Sequence, residues 1–408
     1  MADPHGQREE YGMEAQRLST LRAYNSPGQN ALKDALLESR IPRVVIVGTG
    51  FVGSTTAYAL MMLGMAAEIV LIDRDARRAE GQVNDLRDAE VFSHTTRVFV
   101  GDFSDCRSAD ITVITAGVSQ AGQRSRIQSL SETGTIVHDL VSNVCRQEPR
   151  GILLLASNPV DALTYAVSKW SGLPANRVIG SGTSLDTSRF RRRLAARYGV
   201  ASANVHAYVI GEHGDSQVPV LSSARVAGFP LDEFCDQVGQ PCEESTFTGI
   251  ASDTRTAGVD IIDAKGGTYY GIGAALVRII RAILRDEDAI LTVSSLVPQS
   301  MELGEVSLSL PSIVNRHGIA RVLSVALNSS ERKALEASAE VVRRQITTLA
   351  QTTPIPGFSG NGSPSKERIA ALTKSKRANG ERVTPNEQWP GIPAWSRFKS
   401  NFTNPRHA

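Results

Sequence analysis

The most informative part of the sequence is Val44-Val45-Ile46-Val47-Gly48-Thr49-Gly50-Phe51-Val52-Gly53. A continuous β-branched run that ends in three spaced glycines predicts a buried parallel strand, a tight turn and the start of a helix. Gly48 allows the turn, Gly50 lets the backbone approach a pyrophosphate, and Gly53 lets the helix pack against the strand. The first N–H groups of the helix can then bind the phosphate. The pattern predicts a dinucleotide site, and a purely structural glycine turn is the alternative.

Four more apolar runs follow, at residues 69–72, 98–100, 111–114 and 152–155, and helical segments are predicted near 54–64, 76–90 and 125–147. Runs this continuous are typical of strands that are buried on both faces, as in a parallel sheet. Repeated βα units predict the α/β class. We therefore expect a doubly wound parallel sheet of the Rossmann type over residues 41–180.

Asp73 ends the second of these strands, 20 residues after Gly53. A carboxylate at this position can hold both ribose hydroxyls of a dinucleotide, and it repels a 2′-phosphate. The position therefore predicts NAD as the cofactor. Arg74 could pair with a 2′-phosphate, which keeps NADP as the alternative.

The second half of the chain has a looser pattern, which predicts an α+β domain over residues 181–350. We expect short antiparallel strands at 206–210, 218–221 and 224–226, helices at 243–263 and 268–284, and a hairpin from 290–297 and 301–310. A last helix is expected at 329–350, with Ser329, Ser330 and Glu331 as its capping start. Residues 1–40 are expected to form a polar arm. Residues 351–408, with nine Lys/Arg and three Glu, predict a disordered basic tail, or one that docks through Trp389 and Trp395.

Composition excludes several classes of protein. The 408 residues carry 44 Lys+Arg and 42 Asp+Glu, a net charge of +2, which argues against a nucleic-acid or membrane-surface binder. The apolar run 57–67 is shorter than the roughly 18 residues of a membrane span, and residues 1–10 lack the apolar core of a signal peptide. The 4 cysteines show no C-x-x-C spacing, so we expect no metal site and reduced thiols in a cytoplasmic protein.

Four polar clusters lie at or beyond the ends of predicted strands, where α/β sheets bind their ligands. Asn158, after a strand, offers an amide at the mouth of the crevice or a helix N-cap. Asp186 and Arg189 share a helix face. They could belong to a catalytic site or form an ordinary surface ion pair. His213, within Gly-Glu-His-Gly-Asp-Ser, can exchange a proton near neutral pH or be an ordinary loop histidine. Residues 118–126 suit a mobile lid or a solvated loop.

The order of these motifs over residues 41–350 resembles the L-lactate dehydrogenase family, within the lactate/malate dehydrogenase superfamily. The resemblance implies that His213 exchanges a proton with the C2 oxygen of the substrate, that Asp186 is its carboxylate partner, and that Arg126 is the lid arginine that polarises the carbonyl. The implied substrate contacts are Gln120, Arg126, Asn158, Arg189 and Thr268. The implied cofactor contacts are Gly48, Gly50, Phe51, Val52, Gly53, Asp73, Thr115, Ala116, Gly117 and Asn158.

Gln120 is expected to determine whether pyruvate or oxaloacetate is the preferred substrate. Malate dehydrogenases resemble one another in having arginine at this lid position, where it pairs with the second carboxylate of oxaloacetate. A neutral glutamine fits the methyl group of pyruvate, because an unpaired carboxylate is costly to bury. Arg124 and Gly258 depart from the usual residues of the family. They keep a broader 2-hydroxy acid dehydrogenase, or a malate dehydrogenase, as alternatives.

The resemblance implies reversible hydride transfer between NADH and pyruvate by a cytoplasmic homotetramer, with a small 2-oxo or 2-hydroxy acid as substrate. A non-catalytic NAD-binding structural protein is the alternative from another class. Arg191 and His206 match positions that bind fructose 1,6-bisphosphate in allosteric bacterial members. Their alternatives are a solvated helix face and an ordinary strand residue.

Overall fold

The computed structural model describes residues 42–117 and 126–358. Six parallel strands form the first part of its main sheet: β1 (Arg43–Val47), β2 (Glu68–Ile72), β3 (Arg97–Val100), β4 (Ile111–Ile114), β5 (Ile152–Leu155) and β6 (Val178–Gly180). They lie in the order β3-β2-β1-β4-β5-β6. The strand order reverses between β1 and β4, which opens a crevice at their carboxyl ends. The predicted Rossmann sheet is confirmed.

Helices cover both faces of this sheet, which explains why its inner strands consist mostly of buried apolar residues. Two hydrophobic clusters divide the alternate side chains of β1 between them: Val44 and Ile46 on one face, Val45 and Val47 on the other. The first face packs against α1 (Phe51–Met62), α2 (Ala76–Glu90) and α8 (Tyr270–Leu284). The second packs against α3 (Arg126–Cys145), α4 (Val160–Trp170) and α9 (Ser329–Thr352).

The second half of the chain contributes to two sheets. A small antiparallel sheet consists of β7 (Val205–Ile210), β8 (Val218–Val226) and β9 (Phe229–Pro230), with α5 (Ser184–Tyr198), α6 (Leu231–Gln237) and α7 (Glu244–Lys265) around it. The strands β10 (Ala289–Leu296), β11 (Ser307–Asn315) and β12 (Gly318–Val322) extend the main sheet beyond β6 to nine strands. The predicted α+β character is confirmed, and the main sheet runs through both halves.

Several predicted boundaries are wrong. The strands expected at 218–221 and 224–226 are one strand, β8, and the second strand of the hairpin begins at Ser307 instead of Met301. Met301 ends a short 3₁₀ turn, after which Glu302 takes a left-handed conformation that interrupts an extended strand. The N-cap of α9 is Asn328: its side chain accepts from the Glu331 N–H at 2.9 Å, and the Glu331 carboxylate accepts from the Asn328 N–H at 3.0 Å.

The chain stays packed after α9. The indole N–H of Trp170 donates to the Pro354 carbonyl at 2.9 Å, and the ring of Phe358 lies 5.9 Å from that of Tyr165. The predicted arm at 1–40 and the tail beyond Phe358, with Trp389 and Trp395, lie outside the described residues. Within residues 42–117 and 126–358, no helix has the length and apolar composition needed to cross a membrane.

Candidate active site

The turn between β1 and α1 accepts only glycine at two positions. Gly48 has φ +102°, and a Cβ there would lie 2.8 Å from the Ala116 nitrogen. A Cβ at Gly53 would collide with the Gly48 carbonyl oxygen. The Gly48 N–H donates to the Ile72 carbonyl at 2.8 Å, so the turn is held against β2. Glycine is needed here for backbone conformation and for close packing.

Gly50 differs from the other two glycines because the space beside it is open. It is exposed, it is the N-cap of α1, and a Cβ built on it would meet no atom within 4 Å. The first N–H groups of α1, from Phe51 to Gly53, belong to a helix start that Gly50 cannot cap with a side chain. Val52 packs into the core beneath them. An open approach to a helix N-terminus fits the pyrophosphate of a dinucleotide.

Asp73 is fixed beside this turn by a residue within the motif. Its Oδ2 accepts from the Thr49 N–H at 2.7 Å and from the Thr49 hydroxyl at 2.9 Å, and its Oδ1 accepts from the Asp75 N–H at 3.0 Å. Burial raises the pKa of Asp73, but these hydrogen bonds outweigh burial and lower it below the usual value. A fixed anion with acceptor capacity left on Oδ1 suits the ribose hydroxyls of NAD and opposes a 2′-phosphate.

The carboxyl ends of β1, β4 and β5 are tied together at the crevice. The Thr115 hydroxyl donates to the Gly48 carbonyl at 2.7 Å, and the Ser157 hydroxyl donates to the Ala116 carbonyl at 2.5 Å. Gly117 follows directly, as the last described residue before residue 126. Thr115 and Ala116 therefore lie against the glycine turn, at the topological switch point.

Asn158 stands at the end of β5, next to this network. The structure rules out its alternative as a helix N-cap, because Pro159 is the N-cap of α4. The Asn158 side chain is exposed at the carboxyl edge of the sheet. Its amide is therefore available on the side where a ligand of the crevice would lie.

His213, Asp186 and Arg189 form one connected group. Asp186 lies in the first turn of α5 and is 3% exposed. Its Oδ2 lies 2.6 Å from His213 Nδ1, and its Oδ1 accepts from Arg189 Nη1 at 3.1 Å. The alternative of a surface ion pair is wrong, because the carboxylate is buried and shared with the histidine. Since Nδ1 is taken by Asp186, Nε2 is the ring nitrogen left to exchange a proton with a substrate.

The charges of this group shift two pKa values in opposite directions. Burial alone would raise the pKa of Asp186, but His213 and Arg189 lower it below its usual value. Burial alone would lower the pKa of His213, but the charge and hydrogen bond of Asp186 raise it above its usual value. A protonated imidazole beside an ionised carboxylate is therefore favoured, which suits a general acid near neutral pH.

The turn that carries His213 is anchored by residues that the sequence analysis did not single out. The His213 N–H donates to Asp161 Oδ2 at 2.6 Å, and Gly211 exchanges two main-chain hydrogen bonds of 2.9 Å with Ser309 of β11. Glu212 is buried and accepts from the Gln345 amide of α9 at 2.7 Å. The only sequence signal was a carboxylate, Asp161, in the first turn of the helix that follows Asn158.

Thr268 lies half-buried in the turn between α7 and α8. The next residue, Tyr269, stacks on Phe51 with ring centroids 5.1 Å apart, and Lys265 Nζ lies 3.5 Å from the centre of the Tyr269 ring. The stack brings the turn of Thr268 next to the glycine turn. Phe51 is 71% exposed, so this contact lies at the surface of the crevice.

Three predicted lid residues lie wholly or partly outside the described residues. Gln120 and Arg124 lie outside the described residues. Arg126 is the first residue of α3, and its side chain is outside the described part of the structure. Their expected contacts with a substrate stay predictions.

Arg191 and His206 lie on neighbouring elements, α5 and β7. Arg191 Nε donates to the Ala207 carbonyl at 2.8 Å, and its guanidinium lies 5.4 Å from the centre of the Tyr208 ring. The alternative of a solvated helix face is therefore wrong for Arg191. His206 is exposed near the start of β7, opposite Arg225 of β8. A role in binding an effector stays a prediction.

Comparisons with known proteins agree with this geometry. The model of the lactate/malate dehydrogenase NAD-binding domain matches residues 42–180, and that of the alpha/beta C-terminal domain matches residues 183–353. An L-lactate dehydrogenase of Acetivibrio thermocellus is 43% identical over 309 residues, which cover 76% of this chain and 98% of the relative. An L-lactate dehydrogenase of Thermus aquaticus is 44% identical over 307 residues, which cover 75% of this chain and 99% of the relative.

Solved structures give the same result. The crystal structure of MGS-M5, a lactate dehydrogenase from a Medee basin deep-sea metagenome library, matches with a TM-score of 0.74 at 40% identity and covers 76% of this chain and 99% of that chain. The ligands-bound minor L-lactate dehydrogenase of Enterococcus mundtii matches with a TM-score of 0.73 at 38% identity. The match covers 76% of this chain and 98% of that chain. The chain therefore belongs to the lactate/malate dehydrogenase family, whose N-terminal domain binds NAD.

Proposed function

We propose that this protein is an NAD-dependent L-lactate dehydrogenase, which interconverts pyruvate and L-lactate. The group formed by Asp186, His213 and Arg189 carries the proposal. It combines a proton donor, a carboxylate that holds the donor, and a cation beside both, at the edge of the sheet where the glycine turn lies. The relatives' names, L-lactate dehydrogenase, support the same reaction.

The residues divide the chemistry between them. When bound, the nicotinamide of NADH supplies the hydride to C2 of the substrate. His213 gives a proton from Nε2 to the C2 oxygen, while Asp186 holds Nδ1–H and stabilises the imidazolium. Arg126 polarises the carbonyl as negative charge develops on its oxygen. Asn158 and Thr268 line the substrate pocket, and the glycine turn with Asp73 and residues 115–117 holds the cofactor.

Arg189 is proposed to bind the carboxylate of the substrate. Its side chain is 12% exposed, and Nη1 is directed to Asp186. The guanidinium has five N–H groups in a planar fork, so several remain for a second carboxylate after this bond is made. A bidentate pair with the substrate would orient C2 toward His213.

The experiment that tests the function is NADH oxidation by the purified full chain, followed by absorbance, with pyruvate, oxaloacetate and a branched 2-oxo acid in parallel. We expect a clear preference for pyruvate. Comparable rates with all three would replace the proposal by a broader 2-hydroxy acid dehydrogenase. A preference for oxaloacetate would indicate a malate dehydrogenase, and binding of NADH without turnover would indicate a non-catalytic protein.

Gln120→Arg is expected to move the preference toward oxaloacetate. An arginine in the lid would pair with the second carboxylate, and a buried charge pair commonly changes affinity by about 100-fold or more. The ratio of kcat/KM for oxaloacetate to that for pyruvate measures the change. Gln123→Arg is the matched control, since it adds the same charge to the same lid and should move the ratio much less. An unchanged ratio in Gln120→Arg would contradict the proposed role.

Gly258→Ala is expected to stabilise the fold and to narrow the range of substrates. Gly258 lies inside α7, where glycine costs about 0.5–1 kcal/mol relative to alanine, and a Cβ there would meet Arg189 Nη1 at 3.9 Å, an ordinary contact. We expect the free energy of unfolding to rise and the rate with branched 2-oxo acids to fall relative to pyruvate. Gly249→Ala is the matched control, because its Cβ would meet no atom within 4 Å. It should stabilise α7 without changing specificity.

The remaining expectations are also proposals. The protein is proposed to be a cytoplasmic homotetramer, with residues 41–180 binding the cofactor and residues 181–350 supplying the substrate chemistry. Size-exclusion chromatography with light scattering of the full chain measures the assembly. A monomer that turned over pyruvate would reject the tetramer and leave the reaction in place.

A further inference from the structure

A second carboxylate lies against His213. Asp161 is 1% exposed, its Oδ2 accepts from the His213 N–H at 2.6 Å, and its Oδ1 accepts from the Ser309 hydroxyl at 2.9 Å. Both oxygens accept hydrogen bonds, which is the pattern of an ionised carboxylate. Asp161 therefore connects α4, the histidine turn and β11 through one buried group.

Two helices direct their N-terminal ends toward the histidine with a carboxylate in the first turn. Asp186 lies in the first turn of α5, and Asp161 lies in the first turn of α4. A helix N-terminus stabilises negative charge. The fold thus supports an anion on two sides of His213, one beside the ring and one beside the main chain.

We propose that Asp161 is a positioning residue for proton transfer, which fixes the main chain of His213 and places a second negative charge beside the protonated imidazole. This inference rests on the proposed function. It assigns Asp161 a role through His213 and no contact with the substrate. Asp186 sets the orientation of the ring, and Asp161 sets the position of the residue that carries it.

The negative charge of Asp161 distinguishes the proposed role from that of a group that only anchors the main chain of His213. A serine or an asparagine could accept a main-chain N–H, and a buried carboxylate is more costly to keep than either. Burial raises the pKa of Asp161 above its usual value, and the hydrogen bonds from His213 and Ser309, with the charge of His213, offset only part of this effect. A cost of this kind is offset if the charge also stabilises the imidazolium, and Asp161 does act to raise the pKa of His213.

Other charged groups near His213 must be separated from Asp161 in a test. From α5, Asp186 raises the pKa of His213 and Arg189 lowers it. The turn itself carries two further acids, Glu212 and Asp215. The Glu212 carboxylate accepts from the Ser216 hydroxyl at 2.5 Å and from the Gln345 amide of α9 at 2.7 Å. It is therefore a second buried acid of the same turn with different partners, and it can serve as a control for Asp161.

The decisive variant is Asp161→Asn, which keeps an acceptor for the His213 N–H and removes the charge. The pH dependence of kcat/KM for pyruvate reduction is measured across neutral and alkaline pH, with NADH affinity followed by fluorescence. Loss of the anion destabilises the imidazolium, so the alkaline limb should move to lower pH by about one unit. NADH affinity should not change.

Two control variants isolate the charge. Ser309→Ala removes a hydrogen bond to Asp161 and keeps its charge, so the alkaline limb should stay in place. Glu212→Gln removes a buried charge from the same turn and should move the limb much less than Asp161→Asn. If Asp161→Asn does not bind NADH, Asp161→Ser replaces it, as a smaller uncharged acceptor.

The outcomes distinguish this inference from the proposed function. If the parent does not reduce pyruvate, the proposed function fails. If the parent is active and Asp161→Asn has a lower kcat with an unmoved limb, or an unchanged profile, Asp161 is a structural anchor or carries no charge, and this inference alone is overturned. Failure of both uncharged variants to bind NADH would make Asp161 a residue for folding and would also overturn it.

Discussion

Replacing His213 with alanine is expected to lower kcat for pyruvate reduction by about 10²- to 10⁴-fold, the usual contribution of a general acid. Asp186 holds the imidazole through Nδ1 at 2.6 Å, which leaves Nε2 as the proposed proton donor, and alanine has no group to replace it. NADH affinity should stay nearly unchanged, because the glycine turn and Asp73 lie on other elements. Steady-state NADH oxidation and NADH fluorescence measure the two effects separately.

The proton-donor role also predicts how the rate of pyruvate reduction changes with pH. In the proposed mechanism, reduction of pyruvate requires protonated His213, so the parent rate is expected to be full below the pKa of His213 and to be lost as pH rises through it. Asp186 raises that pKa above the usual value for histidine, which extends the active range toward alkaline pH. The residual rate of His213→Ala should lack this alkaline limb.

An exposed histidine provides the matched control. His317 lies exposed in the turn between β11 and β12, so His317→Ala makes the same change of side chain on an element outside the group of Asp186, His213 and Arg189. Its kcat and its pH profile should match those of the parent. Parent-like turnover by His213→Ala, at equal NADH affinity, would contradict the assignment of the proton donor. Partial recovery of His213→Ala by added imidazole would support it further.

The sequence predicted those parts of the fold that depend on local pattern. The run 44–47 and the three glycines contain both the strand and the turn, since a buried parallel strand must be apolar on both faces and Gly48 must have positive φ. Asp73 could be predicted for the same reason, because its distance from Gly53 follows from one βαβ unit. The order Asn158, Asp186, His213 carried the family resemblance, although each motif alone had an ordinary alternative.

The missed features depend on contacts between distant residues. Strand β6 has three residues, too few to show a pattern, and it forms only because β5 and β10 lie on either side of it. Asp161 is one carboxylate in one helix turn, and its contacts appear only when α4, the turn of His213 and β11 meet. The predicted capping start of α9, at Ser329, lies one residue after the observed N-cap because Asn and Ser are both good caps. The choice of Asn328 depends on the hydrogen bond that its N–H donates to the Glu331 carboxylate.

Asp186→Asn is expected to lower kcat/KM for pyruvate by about 100-fold or more, for two reasons. The imidazolium loses the charge that favours it, so its pKa falls and the alkaline limb of the rate profile moves to lower pH. The ring also loses its fixed tautomer, since an amide can present either its oxygen or its nitrogen to Nδ1. Because the bond to Asp186 is made by the ring itself, the shift should exceed that of Asp161→Asn. The pH profiles of the two variants, measured side by side, give the comparison.

The double variant decides whether Asp186 acts through His213. Residues that work as one unit give effects that do not add. In a His213→Ala background, Asp186→Asn should therefore cause little further loss of kcat, although it causes a large loss in the parent. The buried carboxylate also touches Arg189, with an oxygen 3.1 Å from Nη1. If the two losses instead multiplied, and KM for pyruvate rose in the double variant, the main role of Asp186 would be to hold Arg189, the proposed ligand of the substrate carboxylate. Of the two side-chain contacts, only the one to Arg189 survives the removal of the imidazole.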